Sequence, residues 1–477
     1  MFHKHNIWRV FLSITIIFLG VSLAWVWVRA ASTPLSTIGW QQVNENGFGI
    51  MQGISTLDIY QGQLYAGTWA GVSLDTAQIW RSSDGRAWEQ LSPGYVTSTQ
   101  FIFDSQVFSN NLYIGTGSVT ENIAEIWRTD GLNWEMVASD GFGDGNNYGI
   151  FNLAVFSNTL IASAANDTSG VEIWASPTGN PGSWEQVNSD GFGLGITGRE
   201  STMDAYNDYE YFGISLNGLA TLVRTNDLLT WTPVFTDGLG NSYNTTVSSM
   251  AEFNGDFYIG LRNVTDGGEV WRTSNGMDFS PVITGGLGDE NNLRPYGLTV
   301  YQNYLYLVFN NLSTGAEVWR TSDGNSWQQV NNDGWGDASN GYADYYDKGA
   351  AIFNNSLFIG TMNTSTGGEI WQMLFSPDSV SISGPTSGVP GQDYFFTGAT
   401  LPITTTLPLT YTWQATDFGP VTFSGGITST ISYIWEIPGT KVITVTVENN
   451  AGAVTNAHNI DIIMFAEKKI FLPSIMR

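Results

Sequence analysis

The sequence predicts an all-β chain, and three observations lead to that fold class. Aromatic residues make up 14% of the chain and glycine occupies 55 positions, whereas charged residues reach only 13%, a composition that suits strands joined by tight turns. One motif with four short strands returns seven times. After residue 378 the motif stops, and the 477-residue chain therefore divides into a repeat domain and a smaller second domain.

The first 31 residues have the pattern of an export signal. Lys4 and Arg9 precede an apolar run over residues 10–28, and Ala30 and Ala31 follow it. The run is also long enough for an uncleaved membrane anchor. Both alternatives place the remaining chain outside the cytoplasm, either free in the medium or at the cell surface.

The repeat consists of an apolar strand, a turn, L-Y-x-G-T, a loop, G-x-E-I-W-R-T, D-G and W-x-x-V. Its first tryptophan, or the valine that replaces it, recurs at spacings of 47, 47, 49, 48, 48 and 52 residues, at Trp80, Trp127, Trp174, Val223, Trp271, Trp319 and Trp371. In one copy the predicted strands are Met250–Phe253, Phe257–Arg262, Glu269–Thr273 and Phe279–Ile283. Four strands at this spacing are typical of a β-propeller blade.

The second aromatic of the motif indicates how the repeat domain closes. Only six of the seven copies are followed by this aromatic residue, which is found at Trp88, Trp134, Trp184, Trp231, Phe279 and Trp327. The missing copy is found at the start of the domain, where Trp40-Gln41-Gln42-Val43 has no unit of its own. Residues 38–376 are therefore predicted to form a seven-bladed β-propeller in which the N-terminal strand completes the last blade and removes open sheet edges.

The turn before the second aromatic carries an aspartate followed by glycine, as in Ser322–Trp327. It resembles the Asp-box of sialidase-type (BNR-like) propellers, although it is one residue shorter. The resemblance implies a structural turn away from any active site. The residues lead to the same prediction, because Asp84, Asp130 and Asp323 can accept backbone hydrogen bonds in a tight turn.

Two charged positions recur with the repeat, and we expect them to serve the scaffold. A catalytic constellation needs only one copy of its geometry, so residues that break the repeat are better functional candidates. The recurring residues are Arg81, Arg128, Arg224, Arg272 and Arg320, and Glu125, Glu172, Glu269, Glu317 and Glu369.

The loops between units contain Asp-Gly sequences that offer oxygen ligands. Asp144, Asp289 and Asp337, with their neighbouring asparagines, form the candidate metal site, and calcium is the one cofactor that the sequence suggests. A full calcium-loop signature is absent. The alternative interpretation is an ordinary Gly-Asp turn.

Three arginines break the repeat and are expected near the same loops, namely Arg199, Arg262 and Arg294. Sialidases hold a substrate carboxylate with three arginines and use a tyrosine nucleophile. By this resemblance the three arginines and Tyr345 or Tyr346 form the candidate catalytic set. The count of seven units rather than the six of sialidases favours the alternative, in which the arginines are solvated or structural.

The remaining candidates concern ligand binding without catalysis. Trp69 and Trp335 are expected to be exposed and outside the repeat, where they can stack on carbohydrate, and Asp344 completes the set.

The second domain, residues 379–463, is predicted to be an immunoglobulin-like β-sandwich. Its strands are expected at Asp393–Phe396, Leu409–Gln414, Ile431–Glu436 and Lys441–Glu448. Tyr411-Thr-Trp413 and the stretch 438–447, followed by Asn450-Ala-Gly452, resemble the PKD family of extracellular β-sandwich modules. That resemblance implies a module that spaces or attaches other domains. Residues 464–477 form a basic and apolar tail that is too short to span a membrane.

Composition excludes several classes of function. The chain has no cysteine, so disulfides, thiolate metal sites and cysteine nucleophiles are excluded. It has three histidines. A net charge of −26 repels phosphate backbones, and no nucleic acid is expected as a partner. The sequence favours a monomeric, secreted or cell-surface, non-catalytic protein that binds a glycan or a protein and attaches to the membrane or envelope through its termini. The alternatives are a sialidase-like glycoside hydrolase or lyase and a structural envelope component.

Overall fold

The computed structural model describes residues 38–49, 51–71, 76–91, 100–118, 124–195, 197–342 and 348–464. The side chains of residues 197–201 and 342 are not part of this description. All regular structure in these ranges is β-strand or short 3-10 segment, as the sequence predicts. Except for the last eight strands, the strands form four-stranded units that we number 1 to 7.

Units 1 to 3 are antiparallel meanders in which consecutive strands are hydrogen-bonded. The strand that precedes them is β1 (Ile38–Gln42). Unit 1 contains β2 (Gly53–Tyr60), β3 (Gln63–Trp69), β4 (Ile79–Ser82) and β5 (Glu89–Gln90). Unit 2 contains β6 (Phe101–Phe108), β7 (Asn111–Gly117), β8 (Glu125–Thr129) and β9 (Trp134–Ala138). Unit 3 contains β10 (Gly149–Phe156), β11 (Thr159–Ala165), β12 (Glu172–Ser176) and β13 (Glu185–Gln186).

Units 4 to 6 repeat the same topology. Unit 4 contains β14 (Thr197–Tyr206), β15 (Tyr209–Leu216), β16 (Leu219–Thr225) and β17 (Thr232–Phe235). Unit 5 contains β18 (Asn244–Phe253), β19 (Asp256–Asn263), β20 (Glu269–Thr273) and β21 (Ser280–Ile283). Unit 6 contains β22 (Asn292–Tyr301), β23 (Tyr304–Asn311), β24 (Glu317–Thr321) and β25 (Gln328–Gln329).

Unit 7 joins the two ends of the repeat region. It contains β27 (Ala350–Phe353), β28 (Ser356–Met362) and β29 (Ile370–Phe375), and the short β26 (Gly341–Tyr342) pairs with β28. Its fourth strand is β1, which pairs with β29 from Ile38 opposite Phe375 to Gln42 opposite Trp371. The predicted pairing of the N-terminal strand with the last unit is thus present.

The units follow one another in a cyclic order of contacts. The first strand of each unit contacts the first strand of the next unit, from β2 through β6, β10, β14, β18 and β22 to β27, and β27 contacts β2. A separate cluster of buried apolar side chains lies at each junction, such as Leu57, Leu64, Phe353 and Phe358 between units 7 and 1. Burying each large side chain of this kind contributes about 1.5–3 kcal/mol. The repeated apolar strand positions therefore hold neighbouring units together.

Six 3-10 segments precede the first strands of units 1 and 3 to 7, and they mark one end of the units, which we call the loop end. Their bounds are Asn46–Gly49, Asp140–Gly143, Asp190–Gly193, Gly238–Gly240, Gly285–Gly288 and Asp333–Gly336.

At the other end, the turns between third and fourth strands are fixed by aspartates. Asp323 Oδ1 accepts hydrogen bonds from Asn325 N (2.8 Å) and Ser326 N (2.7 Å), and Asp84 and Asp130 do the same in their turns. The predicted structural role of these aspartates agrees with this geometry.

The last eight strands form two facing sheets that are antiparallel except for the parallel pairing of β31 with β37. The first sheet contains β30 (Ser379–Ser383), β32 (Asp393–Leu401) and β35 (Thr428–Ile434). The second contains β31 (Ser387–Gly388), β37 (Gly452–Ile462), β36 (Gly439–Asn449), β33 (Leu409–Ala415) and β34 (Val421–Gly425). Trp413 and Trp435 are buried between them with Phe396 and Val445. Alternating apolar residues on β33 and β36 supply this core.

Candidate functional site

A hydrogen-bond network at the loop end joins the repeated glutamate, asparagine and tryptophan side chains. In unit 6, Asn292 Nδ2 donates to Glu317 Oε2 (2.8 Å) and to Gly286 O (3.0 Å), and Trp319 Nε1 donates to the same carboxylate oxygen (2.8 Å). Asn311 Nδ2 donates to Asn292 Oδ1 (3.0 Å). The same contacts recur around Glu172, Glu269 and Glu369.

Burial raises the pKa of Glu172, Glu317 and Glu369, although the asparagine and tryptophan donors act in the opposite direction. Each carboxylate accepts one hydrogen bond from an indole and one from a side-chain amide, and the same amide also bonds a backbone carbonyl of the loop end. These bonds hold the loop backbone in place. The network therefore belongs to the scaffold, as we expected for the recurring glutamates.

The three candidate calcium aspartates belong to this network. Asp289 Oδ1 accepts from Asn291 N (2.9 Å), and its Oδ2 accepts from Asn311 Nδ2 (3.0 Å). Asp144 and Asp337 make the corresponding bonds, to Asn166 and Asn363 among others. Backbone donors lower the pKa of Asp289 and Asp337. Each aspartate closes the loop of its own unit, so the structure does not bring the three together.

The part of the chain that the structure describes contains no group of three or more acidic or histidine side chains arranged to hold a metal ion.

The sialidase-like candidates are only partly within the described residues. Arg199 lies in β14, but its side chain is not described, and Asp344, Tyr345 and Tyr346 fall in the undescribed range 343–347. Arg262 Nη1 donates to Thr245 Oγ1 (3.2 Å). Arg294 is only 2% exposed, bonds the hydroxyl of Tyr296 and lies 5.0 Å over its ring. These contacts give Arg262 and Arg294 structural partners at the loop end.

Trp69 and Trp335 differ from expectation, because both are half-buried rather than exposed. Trp69 stacks on Phe101 with ring centroids 5.8 Å apart. Trp335 stacks on Trp371 at 5.2 Å and meets Trp40 edge-on. Trp335 also does not break the repeat, since it fills the place that phenylalanine or leucine takes in the other 3-10 segments, at Phe48, Phe142, Phe192, Leu239 and Leu287.

A cluster of charged residues beside the first strands was missed by the sequence analysis. We call it the axial cluster, because the first strands are the ones that meet in cyclic order. Asp58, Asp104 and Asp204 lie on first strands, Glu210 lies on the second strand of unit 4, and Lys348 precedes β27. Lys348 Nζ donates to Leu153 O (2.7 Å) and Ser105 O (2.9 Å) and lies 3.2 Å from Asp104 Oδ2. Lys348 O also accepts from Leu57 N (2.9 Å). One lysine thus ties unit 7 to units 1, 2 and 3.

The carboxyl groups of the axial cluster are strongly perturbed. Burial raises the pKa of Asp58 and Asp204 to about 6 and that of Glu210 to about 8. The Lys348 ammonium acts against this rise at all three groups. Glu210 is 1% exposed, and its Oε1 has no hydrogen-bond partner among the described residues. Lys348 neutralises only part of the acid charge that is gathered there.

The signal for this cluster is present in the sequence. Glu210 occupies the position held by leucine in five other units, at Leu64, Leu112, Leu160, Leu305 and Leu357. Asp58 and Asp204 replace alanine at the position of Ala154 and Ala251. Aligning the first and second strands, rather than the tryptophan motif alone, identifies all of these departures from the repeat.

Comparison with known families assigns the C-terminal region. Residues 379–462 match the family model of the PKD domain. A PKD domain of a peptidase from a Thermoplasmatales archaeon is 19% identical, with 19% of this chain and 97% of that chain covered and a TM-score of 0.17. No curated protein sequence matches the chain.

Two solved structures align with larger parts of the chain. The extracellular domain of a putative hybrid two-component system from B. thetaiotaomicron is 12% identical, with 90% of this chain and 57% of that chain covered and a TM-score of 0.45. This chain thus spans little more than half of that protein. A lectin solved with α-methyl fucoside is 13% identical, with 60% and 98% covered and a TM-score of 0.38.

Among the described residues, no helix has the length and apolar character needed to cross a membrane.

Proposed function

We propose that the chain is an extracellular, non-catalytic binding protein in which residues 38–376 form a seven-bladed β-propeller and residues 379–463 form a PKD-like sandwich that spaces or attaches it. The cyclic contacts of the seven units and the β1–β29 pairing support the propeller. The predicted export segment and the PKD match support the extracellular location.

The non-catalytic role rests on one observation, which is that the recurring glutamates and aspartates of the loop end are committed to the scaffold. Their carboxylates accept bonds from asparagine, tryptophan and backbone donors of the same loop end. A hydrolase that uses paired carboxyl groups needs an acid and a base facing each other across the substrate. Among the described residues, the glutamates and aspartates of the loop end do not have that arrangement.

A glycan array on the purified chain, with calcium and then with chelator, tests this function. Binding without hydrolysis of the bound glycans supports it, and equal binding with chelator is expected because the three loop aspartates already have hydrogen-bond donors. If no glycan binds, the result counts against a glycan ligand, and a protein ligand or a structural role remains as the explanation.

The second candidate is a glycoside hydrolase or lyase, and the axial cluster is the observation in its favour. Perturbed carboxyl groups that share one region are typical of catalytic sites. Turnover of an array ligand that Asp204→Asn abolishes would establish this alternative. Retained turnover in that variant would place any catalysis elsewhere.

A further inference from the structure

A crevice of about 340 Å³ opens between units 2 and 3. Its walls include Met136 from β9, Phe142 from the following 3-10 segment, Trp174 from β12 and Trp184 before β13. Pro181 and Gly182 form part of its rim. Three departures from the repeat coincide at this junction, and each concerns a residue that lines the crevice.

The first departure is Met136. Four other units have glutamine at this position, at Gln42, Gln90, Gln186 and Gln329. In three of them its side-chain amide holds the start of the next 3-10 segment. The bonds are Gln42 Nε2 to Asn46 Oδ1 (2.6 Å), Gln186 Nε2 to Asp190 Oδ1 (2.7 Å) and Gln329 Nε2 to Asp333 Oδ1 (2.7 Å). A thioether cannot donate such a bond. In its place the crevice has an apolar side chain that is 40% exposed.

The second departure is the length of the turn before Trp184. Four residues separate Gly179 from Trp184, whereas two separate Gly85 from Trp88 in unit 1. Pro181 and Gly182 lie in the added length and line the crevice. The longer turn therefore builds a rim that the ordinary turn has no residues to build.

The third departure is the indole of Trp184. The equivalent Trp40, Trp88 and Trp231 donate Nε1 to a valine carbonyl of the preceding unit, at 2.7, 3.0 and 3.0 Å. Trp184 Nε1 has no acceptor among the described residues. Trp327 shares that property, but its turn has the ordinary length. The junction of units 2 and 3 thus lacks a bond that closes three other junctions.

The crevice combines aromatic surface with neighbouring polar groups. Phe142 stacks on Trp174 at 4.4 Å and meets Trp184 at 57°. Beside it, a second hollow of about 430 Å³ is lined by Arg128, Glu135 and other polar residues. Arg128 Nη1 donates to Asn180 Oδ1 (2.8 Å), and its Nη2 lies 2.7 Å from Glu135 Oε2. Residues of β9 and of the long turn line both hollows.

We propose that this crevice binds the ring of a neutral saccharide, which deepens the proposed glycan-binding function and rests on it. Aromatic faces pack against the C–H face of a sugar ring, while Arg128, Glu135 and Asn180 supply hydrogen-bonding groups for hydroxyls. The volume is within the range of small-ligand sites. The net charge of −26 opposes uronic and sialic acids, so the ligand is uncharged.

The experiment compares the purified chain with two crevice variants and one control. Met136→Gln restores the glutamine of the repeat and should reduce affinity for neutral glycans at least tenfold without loss of folding. Trp184→Ala removes an aromatic wall and should do the same. Trp88→Ala, the matched position in unit 1, should remain within twofold of the wild type. Methyl hexosides are also titrated into the wild-type protein while the NMR signals of the indole N–H groups are followed. The signals that shift locate the binding directly.

The outcomes separate this inference from the proposed function. If the array shows glycan binding that Met136→Gln and Trp184→Ala leave intact, the site is elsewhere and only the crevice is refuted. If the array shows no binding and the Trp184 signal does not move with any methyl hexoside, both the crevice and the glycan as ligand are refuted. Preference for uronate glycans over neutral ones would overturn the ligand class.

Discussion

At the scale of single residues, the axial cluster places charge where other units have apolar or small side chains. Glu210 takes the place of a buried leucine, and its carboxyl group lies close enough to Asp204 and Lys348 for both to influence its pKa. Removing a carboxylate from water without a hydrogen-bond partner disfavours the charged form. The folded state therefore holds a proton on Glu210 that the unfolded chain releases.

Glu210→Leu should stabilise the protein, and the gain should grow with pH. The ordinary pKa of this group is 4.5, and the folded value is about 8. Between these values the folded state binds more protons than the unfolded state, so the wild type loses stability as pH rises, on the order of 4 kcal/mol by pH 8. Thermal unfolding at pH 4.5, 6 and 8 measures the difference.

Glu210→Gln provides the control for this prediction. It removes the titration but not the polarity, so its pH profile should be flatter than that of the wild type while its stability gain stays below that of Glu210→Leu. Parallel pH profiles for all three proteins would show that Glu210 does not titrate differently in the folded state.

Lys348→Met should destabilise the protein. The substitution leaves Asp104, which is 3% exposed, without its cationic partner. Breaking a fully buried pair from one side costs about 3–5 kcal/mol. Because the Lys348 side chain is 34% exposed, water screens this pair and the loss should fall below that range. Adding Asp104→Asn removes the stranded charge and should recover part of the loss. Urea unfolding of the two single variants and the double variant gives the coupling energy, and strictly additive losses would argue against the pair.

Sequence reasoning at this scale succeeded for residues that repeat and failed for several that do not. The roles of Glu317 and Asp323 could be predicted, because recurrence indicates scaffold and the Asp-Gly turn has known hydrogen-bonding chemistry. Trp335 was misinterpreted, since the variation among Phe, Leu and Trp in one motif conceals a single packing position. Lys348 was missed because a contact from unit 7 to units 2 and 3 leaves no local pattern.

At the scale of elements, indole hydrogen bonds tie the fourth strand of one unit to that of the preceding unit. Trp231 Nε1 donates to Val187 O, whereas Trp184 Nε1 has no acceptor among the described residues. The two tryptophans occupy the same place in adjacent units. They therefore offer a matched comparison of one hydrogen bond.

Trp231→Phe should cost about 1 kcal/mol more than Trp184→Phe. Both substitutions remove the same ring area, but only the first removes a satisfied bond, and the second removes an unpaired donor. Guanidinium midpoints of the two variants measure the difference. A larger loss for Trp184→Phe would mean that its indole does find a partner in solution.

Strand positions were predictable where apolar residues alternate. In unit 5, the predicted Glu269–Thr273 coincides with β20. The predicted Met250–Phe253 is the last part of β18, which begins at Asn244. Polar residues dominate its first half, including the buried Ser248 and Ser249, and two register shifts interrupt its pairing with β19. Alternation cannot reveal a strand whose buried positions are serines that bond backbone carbonyls.

At the scale of the whole molecule, the C-terminal sandwich is joined to the strand pair that closes the repeat region. Thr406 Oγ1 accepts from Phe375 N (2.8 Å), and Thr406 N donates to Phe375 O (3.2 Å). Asn449 Nδ2 donates to Phe375 O (2.8 Å) and to Thr406 O (3.1 Å). The sandwich therefore contacts β29 directly at its junction with β1, which a freely swinging spacer would not do.

Gly39→Val should test whether this joint supports the closure of the repeat region. Gly39 lies on β1, and an added Cβ would lie 2.9 Å from both Cα and Cβ of Ala451 in the sandwich. Valine favours a strand, so the local effect alone would stabilise β1. Overpacking against Ala451 should instead cost about 1–3 kcal/mol, and Ala451→Gly in the same chain should recover part of it. Thermal unfolding followed by calorimetry distinguishes the cases. A single transition at a lower temperature for Gly39→Val means that the two domains unfold together through this contact. An unchanged transition temperature means that the sandwich contributes nothing to the closure.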